Sequence, residues 1–135
     1  MSGTTTVLAA RAEHHDLAFE ASSVVQVVSA SDWQGPLPVD LEDLIDGLPP
    51  RDACRHVLII RTDAGQWPLG TPRELVMREL STAEIHQLPA LLWPPDEPRV
   101  IQGIADLPDL PPLLLLDAAA LRARADARRP PEPVP

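Results

Sequence analysis

The chain has one cysteine, Cys54, one phenylalanine, no tyrosine, no lysine and only six glycines in 135 residues. A single cysteine excludes an internal disulfide and a thiolate zinc cluster. The glycines form no Gly-x-Ser-x-Gly nucleophile elbow. Gly65 and Gly70 stand alone and are followed by Pro72 rather than Lys-Ser/Thr, so there is no phosphate-cradling loop. Cations are also scarce, with 11 arginines against 20 acidic residues and a formal net charge of −9. Such a balance repels phosphate backbones and anionic lipid, which argues against nucleic acid and membrane surfaces as partners. The cluster Arg122, Arg124, Arg128 and Arg129 is too small to reverse it. No apolar run approaches the ~20 residues that cross a bilayer, so no direct membrane insertion is expected. Met1 to Thr6 has neither the basic region nor the apolar core of a signal peptide, and a cytoplasmic location is expected.

Hydrophobic residues make up 44% of the chain, enough for one compact unit or two small lobes sharing an interface. Seventeen prolines punctuate it, among them Pro49-Pro50, Pro94-Pro95, Pro108 and Pro111-Pro112. Proline cannot donate to a strand ladder, so short strands and stiff loops follow. The dominant internal pattern is a motif written twice, about fifty residues apart. Val7-Leu8-Ala9-Ala10-Arg11 aligns without gaps on Val57-Leu58-Ile59-Ile60-Arg61, and the register holds through Phe19/Leu69, Val25/Leu75 and Val27/Met77. Each copy closes on an apolar run ending in aspartate with a leucine four residues on, Asp40/Leu44 and Asp117/Leu121. A duplicated strand pair is an architectural signal rather than a catalytic one. The copies are unequal: 33 positions separate Val7 from Asp40 and 60 separate Val57 from Asp117, so the first is shorter by 27.

The local pattern is mostly β. Residues 7–12 and 17–20 read as hairpin arms around a turn at Glu13-His14-His15-Asp16, and the β-branched stretch 24–28 continues as a strand. Leu41, Leu44 and Ile45 behind Asp40 predict one or two helical turns with Asp40 as the N-cap, stopped by Gly47. The second copy predicts strands over 57–61, 66–69, 75–80, 100–107 and 113–116, with a hairpin turn at Thr62 to Gly65. Ser81 and Glu84 have capping-box spacing for a single helical turn. Ala118 onward, behind Asp117, predicts a short C-terminal helix with cations at its end. Residues 1–6 are expected to be flexible, and 123–135 to be the helix end and a Pro-rich extended tail.

No residue is assigned a catalytic, cofactor-binding or metal role. His14 and His15 with Glu13 and Asp16 read as a solvated turn, since neighbours on one turn rarely converge on an ion. His56 and His86 add no ligand spacing. Asp40 and Asp117 sit at equivalent positions of the two copies, which fits duplicated helix caps better than an acid/base pair. Trp67 is expected in the core. Trp33 and Trp93 lie in Gly/Pro loops, where an aromatic is a lid or an interface anchor. Leu91-Leu92-Trp93-Pro94-Pro95 is the most apolar loop, a partner patch if exposed.

Residues 57–122 resemble the second half of the CheW-like domain of bacterial chemotaxis coupling proteins. The elements that carry the resemblance are Val57–Arg61, Gly65, Leu75/Met77, Thr82-Ala83-Glu84-Ile85 leading to Leu88-Pro89, Gly103-Ile104-Ala105, and Leu115-Leu116-Asp117 with Leu121. In the first half, Leu17-Ala18-Phe19 through Val24-Val25-Gln26-Val27 and Pro38-Val39-Asp40-Leu41 are similar to the family pattern. A stretch normally ending in Asn-Leu-Arg-Gly is missing, and only Ser29 to Gly35 stands there. The resemblance implies an all-β fold of two SH3-like, five-stranded barrel lobes side by side, lobe one over about 7–47 and reduced, lobe two over about 57–122. It also implies a non-catalytic adaptor in chemotaxis or motility signalling. The implied partners are the regulatory domain of a CheA-type histidine kinase, the signalling tip of a chemoreceptor, or both, the receptor groove running between the lobes. Carried over by residue, the kinase-facing strand is Val24, Gln26 and Val27, and the second contact loop is Ile85, His86, Gln87, Leu88 and Pro89, with Trp93 added from the apolar loop. The alternative is a small-ligand or regulatory binding protein using the interlobe cleft.

Overall fold

The computed structural model describes residues 3–11, 15–35, 37–46, 53–87 and 99–128. In chain order they form β1 (Thr4–Arg11), β2 (Asp16–Glu20), β3 (Val24–Ser29), β4 (Val39–Asp40), α1 (Leu41–Asp46), β5 (His56–Thr62), β6 (Gly65–Thr71), β7 (Leu75–Ser81), β8 (Ile85–His86), β9 (Ile101–Ala105), β10 (Leu113–Leu116) and α2 (Ala118–Arg128). Single 3-10 turns follow β2, β3 and β7. The strands divide into a six-stranded sheet ordered β7-β1-β2-β10-β9-β8 and a four-stranded sheet ordered β3-β5-β6-β4. The fold is all-β with a C-terminal helix, and its strands divide six and four rather than five and five.

The expected division into a lobe before residue 47 and a lobe after residue 57 does not describe the pairing. The hairpins β1–β2 and β5–β6 are local, but each copy's third strand crosses to the other copy. β3 runs antiparallel to β5, with Val28 opposite Val57 and Val27 opposite Leu58, while β7 runs antiparallel to β1, with Arg78 opposite Val7 and Met77 opposite Leu8. The closing strands cross as well: β4 lies parallel to β6 with Val39 opposite Leu69, and β10 lies parallel to β2 with Leu115 opposite Ala18. The exchange is therefore reciprocal. It follows from burial, because a hairpin alone exposes two edges and an apolar face, and each supplies the strand the other lacks.

The six-stranded sheet curls. β7 and β8 are its two outermost strands, yet only the turn Thr82–Glu84 joins them. That connection spans at most about 15 Å from Ser81 to Ile85 at ~3.8 Å per residue. In a flat sheet the same strands would stand about 24 Å apart at ~4.8 Å per strand. Inside the curl lies a cluster of Val7, Ala9, Ala18, Leu80, Ala105, Leu113 and Leu115. A second cluster holds Leu8, Ala10, Leu17 and Phe19 from one sheet, Leu58, Ile60, Trp67 and Leu69 from the other, and Leu41, Leu44 and Leu121 from the helices. Strands β1 and β2 are thus buried on both faces, which is why their sequences read as continuous apolar runs rather than alternating ones.

Both helices start on the predicted caps. The Asp40 carboxylate accepts from the N–H of Glu42 at 2.9 Å and of Asp43 at 3.3 Å, and Asp117 accepts from the N–H of Ala120 at 3.0 Å. Arg73 Nε donates to Glu42 at 2.5 Å and fixes α1 to the β6–β7 turn. Arg122 donates to Thr62 Oγ1 at 2.7 Å and to the Gly65 carbonyl at 3.2 Å, fixing α2 to the β5–β6 turn. Gly65 takes φ +110°, a backbone conformation that a side chain would strain. Ser81 caps its turn through the N–H of Ala83 at 3.3 Å, one residue earlier than a capping box would place it, because the turn is 3-10 rather than α.

Candidate protein-interaction edges

The shortened first copy has a structural address. β1, β2, β3 and β4 correspond to β5, β6, β7 and β10, and among the described residues no strand of the first copy corresponds to β8 or β9. In the six-stranded sheet β9 covers β10, with Leu113 opposite Ala105 and Leu114 opposite Ile104. In the four-stranded sheet β4 is an edge among the described residues. The consequences show in the equivalent side chains: Leu114 and Leu116 correspond to Leu37 and Val39. Leu116 is 2% exposed and Leu114 packs on the central cluster, whereas Leu37 is 96% exposed and Val39 is 37% exposed.

Among the described residues each sheet ends in two edges, and the four edges differ in how they discourage pairing. A free strand edge is a template for another strand, and proteins blunt it with charge, proline or shortness. β8 has two residues and β4 has two. β7 carries Arg78 and Glu79, and Arg78 reaches buried Asp16 at 3.8 Å. Directly before β4 a proline is added. The Asp16 N–H donates to the Pro112 carbonyl at 2.9 Å, so on β10 the backbone groups of 112 and 114 face β2 and those of Leu113 and Leu115 face β9. Pro38 corresponds to Leu115, and it has no N–H to offer at the edge where β9 would lie.

β3 uses none of these devices. It has six residues, Val24-Val25-Gln26-Val27-Val28-Ser29, with no charge and no proline. The Ala30 N–H donates to the Arg55 carbonyl at 2.9 Å, so Ala30, Val28 and Gln26 direct their backbone groups toward β5, and Val27 and Ser29 direct theirs outward. Val25 and Val27 are 39% and 41% exposed. Of the five large hydrophobic side chains exposed among the described residues, four (Val25, Val27, Leu37 and Val39) lie at the edges of the four-stranded sheet, and Met77 is the fifth.

The sequence-predicted contact residues fall on edges of different sheets. Gln26 and Val27 are exposed on β3. Val24 is half-buried and packs against the central cluster opposite Ile60, so it supports the fold at this position. Ile85 on β8 packs on the curl's interior, and a Cβ added at Gly103 would approach its Cγ2 to 2.8 Å, which requires glycine there. His86 and Gln87 are exposed. Leu88, Pro89 and Trp93 lie outside the described residues, as do Glu13 and His14. Asp16 differs from the solvated turn residue expected of it: it begins β2, is 2% exposed and faces Arg78. Trp67 is in the central cluster as expected, and the half-buried Trp33 ring lies over Gly35, where a Cβ would come within 2.3 Å. Sequence reasoning missed Leu37, Val39 and Met77. Pro38 beside Leu37 was the available signal, since a proline-flanked run cannot hold a long ladder.

Electrostatics follow the caps. Burial holds the Asp40 carboxyl above its ordinary value of 3.8, and the hydrogen bonds from Asp43 and Glu42 only partly offset it. A cavity of about 140 Å³ opens between Glu20, Ser23, Gln102 and the start of α2. That is below the ~300–1,000 Å³ of small-molecule sites. Among the described residues no three His, Cys, Asp or Glu side chains are grouped as metal ligands, and no helix is long and apolar enough to cross a membrane.

No protein-family model matches the sequence, and no curated protein matches it. Among solved structures the chain is similar to the scaffolding protein TtCheW from Thermoanaerobacter tengcongensis. The TM-score is 0.68 at 12% identity, over 88% of this chain and 92% of that one. The fold is CheW-like.

Proposed function

We propose that this protein is a non-catalytic adaptor of a chemosensory pathway, serving chemotaxis or motility from the cytoplasm. Its partners in this reading are the regulatory domain of a CheA-type histidine kinase and the signalling tip of a chemoreceptor, or one of the two. The observation that carries the reading is the CheW-like fold together with the place of Gln26 and Val27, which stand exposed on an unblunted strand where the family resemblance puts a kinase contact. The exposed His86 and Gln87 lead the second contact, with Leu88, Pro89 and Trp93 following in sequence.

The missing counterparts of β8 and β9 restrict the role. They would lie beside the groove assigned to the receptor, so the reading is of an adaptor that keeps one partner rather than coupling two. Calorimetric titration of the purified protein against a kinase regulatory domain and a receptor-tip fragment from the same genome tests it. Binding to the kinase domain alone is the expected result. Binding to both restores a two-sided coupler, and binding to neither by the folded protein overturns the adaptor reading.

A further inference from the structure

We infer that the outer edge of β3 accepts an extended segment of a partner protein by strand addition, and that this segment is apolar and uncharged at its centre with cationic residues at both ends. The inference concerns how β3 recognises its partner, and it shares with the proposed function only the use of that strand.

Three observations lead to it. The first is the contrast between equivalent edges. β7 has Arg78 and Glu79 where β3 has Val28 and Ser29, β4 has two residues directly behind Pro38, and β8 has two residues. β3 alone offers a long, neutral, proline-free edge with the backbone groups of Val27 and Ser29 directed outward. Strand addition uses those main-chain groups for affinity and the alternate side chains for specificity.

The second is charge. Glu20 precedes β3 and Asp32 follows it, both exposed, and the whole chain carries −9. A second copy added antiparallel would bring the Glu20 end of one strand toward the Asp32 end of the other, acid against acid. Like charges so placed disfavour self-pairing and favour a segment with a cation at each end. The third is the strand already on the inner edge. β5 is an apolar run, Val57 to Ile60, between exposed Arg55 and Arg61, and it pairs antiparallel with β3. The molecule thus displays the kind of strand that β3 takes.

The test uses the full-length protein and a synthetic peptide copying residues 55–61, Arg-His-Val-Leu-Ile-Ile-Arg, with blocked ends. Amide hydrogen exchange by NMR is followed during titration. The expected result is at least tenfold slower exchange at the amides of Val27 and Ser29 at saturating peptide, with no change on β7. A peptide with proline in place of the central leucine loses this effect, and one with glutamate at both ends binds at least tenfold more weakly. Val27→Pro, which removes an outward donor and leaves the bonds to β5, abolishes binding. Val27→Lys weakens it at least tenfold and serves if the proline variant fails to fold. Absence of protection on β3, or equal binding of the glutamate peptide, overturns the inference. So does the same protection produced by raising protein concentration alone, which would identify a second copy as the occupant. Kinase-domain binding without β3 protection would sink strand addition and leave the adaptor reading standing; peptide protection without kinase-domain binding would do the reverse.

Discussion

The two sheets are built from the same duplicated motif and come to different ends. The six-stranded sheet closes toward itself, because β8 and β9 bring it round until a three-residue turn joins its first and last strands. Among the described residues the four-stranded sheet has no counterparts of those strands and is left with two edges. One of these is short and blunted by Pro38, and the other, β3, is long and bare. The comparison teaches that losing a segment from one copy of a duplicated fold need not damage the core. The central cluster draws on both sheets and both helices, so it survives the loss, while the cost falls on edges and exposed side chains. An exposed sheet edge is one place where a partner strand can add.

The strongest way to break this comparison is to strike the shared core from each side. Phe19→Ala on the six-stranded sheet and Leu69→Ala on the four-stranded one, equivalent positions 1% and 0% exposed, should each cost about 2–5 kcal/mol. Because the third strands are exchanged, denaturant unfolding of both variants should remain a single transition by fluorescence and circular dichroism alike. Two separable transitions in either would mean that the sheets are independent units.

Next in size are the caps. Asp117→Ala and Asp40→Ala should each lose about 1 kcal/mol in thermal or denaturant unfolding, since each carboxylate satisfies N–H groups at a helix start. Asp40 carries a further effect of opposite sign. Its pKa is raised by burial in the folded state, so the folded protein binds the proton more tightly than the unfolded chain does. That contribution to stability is present below the ordinary carboxylate pKa and is lost as pH rises through the folded one. Asp40→Asn keeps the cap acceptor and removes the charge. It should gain stability relative to the parent as pH rises from 3 to 7, and no gain across that range would show that burial is not costing the charged form.

The smallest expected stability changes are the most informative about function. Val27→Asp and Met77→Asp alter equivalent, exposed positions of β3 and β7, and each should stay within about 0.5 kcal/mol of the parent. Only the first should weaken partner binding.

Much of this organisation was legible from the residues. Val7–Arg11 and Val57–Arg61 gave the duplication, Asp40 and Asp117 the caps, Trp67 a core position, and the 27-residue deficit the reduced half. Local patterns carry such information because side-chain period and cap chemistry act within a few residues. The crossing of β3 to β5 and of β7 to β1 was not legible. Val27 and Met77 have the same alternation whether they pair with their own hairpin or the other one, and only long-range burial decides it. Asp16 misled for a related reason: its charge marks a turn locally, while Arg78, brought by the exchanged strand, gives it a partner in the interior. Val24 entered the expected contact strand through the family resemblance, and its register opposite Ile60 sets it half-buried against the core.

The measurement that bears most directly on the account is a calorimetric titration of a CheA-type kinase regulatory domain with three proteins: the parent, Val27→Asp and Met77→Asp. The account predicts binding by the parent, binding at least tenfold weaker by Val27→Asp, and binding unchanged by Met77→Asp. Equal loss in both variants, or no binding by the folded parent, would contradict it.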